Sequence, residues 1–131
     1  TALLAHETLV PSSDLTRAIM KHFNDTPEKI VAFAEKARPA DYGTFCPMVF
    51  DADLNGDTIA ANIIDLAVTA NRNILRKLRD FGAEQLSLMG GLSDQMTKRM
   101  PDDIRVALVP AQNDALHGAI LLAQNHHKVS A

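Results

Sequence analysis

Two short stretches of this 131-residue chain carry residue types suited to gripping a small ligand. One is Gly90-Gly91-Leu92-Ser93, which ends the apolar run Leu86 to Met89. The other is Asn113-Asp114, with Gly118 four residues further on, after the run Arg105 to Val109 and Pro110. Paired glycines have no Cβ, so a planar base or a ribose can come close to the main chain, and both can adopt positive φ. The same pair also serves as a plain strand-to-helix turn, Asp114 as a helix N-cap, and Gly118 as a point of close helix packing. These structural roles leave room for a ligand nearby.

Other chemistry is poorly provided for. Asp51, Asp53, Asn55, Gly56 and Asp57 match the opening of a calcium loop, but its twelfth position falls on Asn62 instead of a bidentate glutamate and Thr58 stands where an apolar residue belongs. A helix end at Asn55-Gly56 with Asp57 as the next N-cap accounts for the same residues. Cys46 is the single cysteine, which excludes an intrachain disulfide or a thiolate-rich metal site within one chain. His6, His22 and His117 lie in three separate segments, and His126-His127 sit in a polar end, without zinc spacing. Serine, histidine and aspartate are all present, but no Gly-x-Ser-x-Gly elbow supports a hydrolytic triad.

The formal charge of −3 gives no footprint for nucleic acid, and the basic stretch Arg72 to Arg79 alternates with Ile74, Leu75 and Leu78 as a solvated helix face does. With 47% hydrophobic and 22% charged residues the composition is that of a globular chain. No apolar run approaches the ~20 residues of a membrane span. A reducing, cytoplasmic setting fits. Thr1 opens the numbering and Ala2 to Ala5 reads as the middle of an apolar helix, which leads us to expect a chain that begins mid-element.

Several elements must position the two glycine- and asparagine-bearing turns. Ser12, Ser13 or Asp14 caps a helix carrying Leu15, Ala18, Ile19 and Phe23, and Thr26-Pro27-Glu28 starts another that Pro39 stops. Asp41 to Leu54 is expected as a helix weakened or kinked by Gly43 and Pro47. After Asp57, a long helix keeps the stripe Ile59, Ile63, Leu66, Ala67, Ala70, Ile74, Leu78 and Phe81 until Gly82 closes it. Leu86 to Met89 and Arg105 to Val109 read as buried strands, with a short helix Asp94 to Met100 between them and a last helix Ala115 to Gln124 after them. A crossover of that kind makes the strands parallel and gathers a ligand at their carboxyl ends, where the two turns lie. The expected class is α/β and helix-dominated: 1–82 helical, 83–124 a strand-helix-strand-helix nucleotide-binding segment, and 125–131 a frayed tail.

The series Leu86-Ser87-Leu88-Met89-Gly90-Gly91-Leu92, then Leu108-Val109-Pro110, then Asn113-Asp114-Ala115-Leu116-His117-Gly118-Ala119 resembles the C-terminal end of the BadF/BadG/BcrA/BcrD ATPase family, in its glucosamine and N-acetylglucosamine kinase branch. Arg38-Pro39-Ala40-Asp41-Tyr42-Gly43 and Asn55-Gly56-Asp57 are similar to that branch as well. The resemblance implies an actin-like, RNase H-like lobe with two parallel strands and about six helices. It implies a parent enzyme passing the γ-phosphoryl group of ATP to an amino-sugar hydroxyl with Mg²⁺.

In that family the Gly-Gly turn contacts adenosine, which maps onto Gly90 and Gly91 with Leu92 and Ser93 beside them; Asn113, Asp114 and Gly118 take a supporting role. The family's glycine-rich phosphate loop, catalytic aspartate, sugar-binding residues and first three strands have no counterpart here, so catalysis by the chain alone is not expected. Phosphoryl transfer needs a phosphate cradle, metal and base together. Unpaired strand edges would favour a homodimer. The competing readings are a helix-rich interaction module and a dehydratase-activator ATPase of the same family.

Overall fold

The computed structural model describes residues 1–129, with side chains placed through Gln124. Helix dominates, as expected. Among the described residues there are nine helices rather than about six: α1 (Ala2–His6), α2 (Asp14–His22), α3 (Pro27–Lys36), α4 (Pro39–Gly43), α5 (Cys46–Leu54), α6 (Thr58–Asp80), α7 (Ser93–Arg99), α8 (Asp102–Arg105) and α9 (Ala115–Val129). Internal contacts divide the chain into two compact units, 1–67 and 68–131, with the boundary inside α6.

The first unit is ordered by helix starts that the sequence encodes locally. Ser13 accepts from the Thr16 N–H at 3.3 Å, and Thr16 Oγ1 accepts in return from the Ser13 N–H at 2.8 Å, a reciprocal cap that opens α2. Pro27 stands in the first turn of α3, and Asp41 accepts from the Arg38 N–H at 2.7 Å where α4 begins. The helix expected over Asp41 to Leu54 is broken instead of kinked. Thr44 and Phe45 separate α4 from α5, and Pro47 falls in the first turn of α5, where its missing donor costs least. Phe23, Phe33, Tyr42 and Phe45 pack edge-on or tilted, with Phe33 centred 5.3 Å from both Phe23 and Tyr42. They border an apolar cavity of about 320 Å³ together with Leu15, Ile19 and Ile59.

The second unit keeps Leu75, Leu86, Met96, Met100, Ile104 and Ala107 buried. Arg76 holds Asp103 through its Nη2 at 2.6 Å, and Arg79 donates to the Asp103 carbonyl at 2.8 Å, tying α6 to α8. The Arg76 hydrogen bond and charge keep the Asp103 carboxyl below its ordinary pKa.

Two parallel strands were expected here, and the structure corrects this. The segments around Leu86 and Leu108 do meet in parallel, but in one isolated bridge: the Leu86 N–H donates to the Ala107 carbonyl at 2.9 Å and the Val109 N–H to the Leu86 carbonyl at 2.8 Å. The first residue of the expected second strand, Arg105, belongs to α8. Pro101 followed by Asp102 and Asp103 is a helix start, with two carboxylates near the positive end of the helix dipole, and it wins over the short apolar run behind it. The actin-like arrangement is not seen in these two segments. Beyond them α9 continues to Val129, so the tail expected from Asn125 is helical as far as it is described; Ser130 and Ala131 lie outside the described residues.

The apolar stripe expected on α6 packs at its start, where Ile59 and Ile63 line the cavity bordered by the aromatic rings, but further along it is not the face that packs. Ala60, Ile64 and Leu75 are buried, whereas Ile63, Leu66, Ile74, Leu78 and Phe81 are exposed. The buried set lies about 100° round the helix from the stripe.

Candidate functional site

The single parallel bridge aligns the chain ends that follow it. Met89 leads into Gly90, whose φ of +108° is a conformation that side-chain-bearing residues rarely adopt. The turn closes when the Ser93 N–H donates to the Gly90 carbonyl at 3.1 Å, and α7 starts at Ser93. On the other side Val109 leads through Pro110 and Ala111 to Asp114. Its carboxylate accepts from the His117 N–H at 2.8 Å and its carbonyl from the Gly118 N–H at 3.2 Å, which caps α9. Ser87 stitches the two sides with a 2.6 Å bond to the Val109 carbonyl.

Between these turns lies an open cavity of about 560 Å³. Of the residues singled out from the sequence, Gly90, Ser93, Asn113 and Asp114 line it. Gly91, Leu92 and Gly118 do not; Gly91 and Leu92 are exposed in the turn beside it, and Gly118 is half-buried in α9. Only Gly90 of the pair has positive φ, and a Cβ built on either glycine meets no atom within 4 Å. The backbone there is bare and accessible.

Lining residues missed in the sequence fall into two groups. Leu88, Met89, Leu108 and Val109 supply apolar walls, while Asp94 and Thr97 come from α7. Ser93 and Thr97 are four apart and share a helix face, but the short helix expected from Asp94 left Ser93 outside it.

The electrostatics restrict what could enter. Asp94 and Asp114 are the charged residues among the described residues of the lining, which include no lysine, arginine or histidine. Apolar walls with amide, hydroxyl and carboxylate acceptors suit a flat, uncharged ring and a sugar bearing hydroxyl donors. They do not suit phosphate groups, which two carboxylates repel. Among the described residues no three His, Cys, Asp or Glu gather closely enough to hold a metal ion. Asp51 and Asp53 stand in α5 rather than on a calcium loop, and Asp57 uses both carboxylate oxygens on backbone N–H groups. The side chains of His126 and His127 lie outside the described residues. No helix among the described residues is long and apolar enough to cross a membrane.

The chain is 31% identical over 121 residues, 92% of its length, to glucosamine kinase GspK of Vibrio cholerae serotype O1. It spans 41% of the length of that relative. No family model and no solved structure matches it.

Proposed function

We propose that this chain is the nucleotide-holding portion of an ATP-dependent amino-sugar kinase, of the BadF/BadG ATPase type, and that its corner at Gly90 seats the adenosine end of ATP. The observation that carries the reading is the conjunction of a bare positive-φ glycine turn with the similarity to a glucosamine kinase along nearly the whole chain. Gly90 lets the purine lie against the main chain, with Leu88, Met89 and Val109 as apolar contacts. Asn113 and Asp114 accept from ribose hydroxyls, and Gly91, Leu92 and Ser93 shape the rim, with Gly118 set back in α9.

In the assembled enzyme ATP supplies the γ-phosphoryl group and Mg²⁺ screens its charge. This chain's own part is to bind and orient the nucleoside, because the described residues of the lining include no cation to cradle phosphates. The phosphate loop, the general base and the sugar site belong to the longer polypeptide, which acts in the cytoplasm. Glucosamine and N-acetylglucosamine are the proposed acceptors. The 131-residue chain, incubated with ATP, Mg²⁺ and glucosamine, is expected to release no sugar phosphate above the background without protein. Turnover by the chain itself would overturn the proposed division of labour.

A further inference from the structure

The cavity beside Gly90 holds two polar side chains to which the nucleoside reading gives no task. Asp94 and Thr97 both line it from α7, and among the described residues neither side chain has a hydrogen-bonding or charged partner. Asp114, the other carboxylate of the described lining, already spends its Oδ1 on the His117 N–H at 2.8 Å. Asp94 is therefore a carboxylate left open to whatever enters.

Asp94 and Thr97 are three apart in α7, so they stand as neighbours on the helix surface, with Cβ atoms about 5–6 Å apart. An ionised carboxylate only accepts hydrogen bonds, whereas a threonine hydroxyl also donates. Together they offer a fixed acceptor beside a donor. The edge of adenine is the complement, an exocyclic amine donor next to a ring-nitrogen acceptor. In a 6-oxopurine such as guanine or hypoxanthine, a carbonyl oxygen stands where the amine was, and it would face the carboxylate with no proton between them.

We infer that Asp94 is a specificity-determining residue of the corner: its carboxylate accepts from the 6-amino group of adenine, the Thr97 hydroxyl donates to the ring nitrogen beside that group, and 6-oxopurines are turned away. The inference rests on the reading of the corner as a nucleoside site and adds which base it selects and through which side chains. Rejection contributes more than attraction. A bond to the right base largely replaces one to water, while two acceptors left face to face cost affinity for the wrong base. Asp94 is exposed, so water moderates the effect, and a preference of about tenfold is expected, the lower end for reading a base edge.

Titration of the 131-residue chain with adenosine and, separately, with inosine, followed at the Gly90 and Ser93 amides by heteronuclear NMR, tests this. The dissociation constant for inosine is expected to be about tenfold the higher. Asp94→Asn, whose amide can turn either its oxygen or its NH2 group to the base, should bring the two nucleosides within about twofold of each other with an unchanged far-UV circular dichroism spectrum. Thr97→Val should weaken adenosine binding and leave adenosine the preferred nucleoside. Equal binding of adenosine and inosine by the wild-type chain, or a preference that survives in Asp94→Asn, would overturn the inference and leave the nucleoside reading standing. If neither nucleoside moves those amides, the nucleoside reading falls and takes the inference with it.

Discussion

Asp57 does more than one cap's work. Its Oδ1 accepts from the Ile59 and Ala60 N–H groups at 2.9 and 3.1 Å, starting α6, while Oδ2 accepts from the Leu15 N–H at 2.8 Å in the first turn of α2. Partial burial pushes its carboxyl pKa up, but those three N–H groups and the Ser13 hydroxyl outweigh it and hold the value below the ordinary one. The ionised form is therefore the one the fold favours. The stabilisation is present above the unfolded-state value near 3.8 and is lost as pH falls through the lower folded value. Asp57→Ala is expected to cost about 1–3 kcal/mol in urea unfolding at neutral pH, since two helix starts lose their acceptor. The gap between wild type and Asp57→Asn should narrow as pH is taken down through that window.

The residue-level cap on α6 was readable because Asp after Asn-Gly is a helix-start signal. Its second bond, to Leu15, joins positions 42 apart and has no local signature. Gly90 offers a contrast with its neighbour. Gly90→Ala forces a Cβ onto a φ of +108° and should cost about 1–2 kcal/mol, while Gly91→Ala, with ordinary φ and open space, should change stability by less than about 0.5 kcal/mol. Chemical denaturation of the two variants side by side checks this.

At the scale of elements, the helices were legible wherever a cap or a proline marks the boundary, as at Ser13, Pro27, Asp57 and Asp114. What was not legible is competition between signals. The apolar run ending at Val109 favours a strand, but Pro101-Asp102-Asp103 starts α8 and takes Ile104 and Arg105 into a helical turn. Ile104, just before the expected strand, is a core side chain at 1% exposure. Ile104→Ala should cost about 2–5 kcal/mol, the range for emptying a well-packed aliphatic site, read as a lowered urea midpoint. A half-exposed Ile104 would lose under about 1 kcal/mol. The stripe on α6 carries a similar lesson. Periodicity finds an apolar face but does not say which of two faces the chain itself covers; here the covered one holds Ala60, Ile64 and Leu75.

On the scale of the whole molecule, the open corner at Gly90 has apolar walls, two carboxylates and no cation among its described lining residues, which agrees with the proposed partial role in an amino-sugar kinase. The corner's glycine turn and Asp114 cap were visible in the sequence, because glycine and helix-capping residues act locally. The Asp94 and Thr97 contributions depend on how α7 turns after Gly90 and were not. The most direct measurement is a heteronuclear NMR titration of the 131-residue chain with adenosine and, separately, with inorganic tripolyphosphate. Our account predicts saturable, roughly millimolar shifts for adenosine at Gly90, Ser93, Asn113 and Asp114, and none there for tripolyphosphate. Tripolyphosphate shifting those amides while adenosine leaves them still would contradict it.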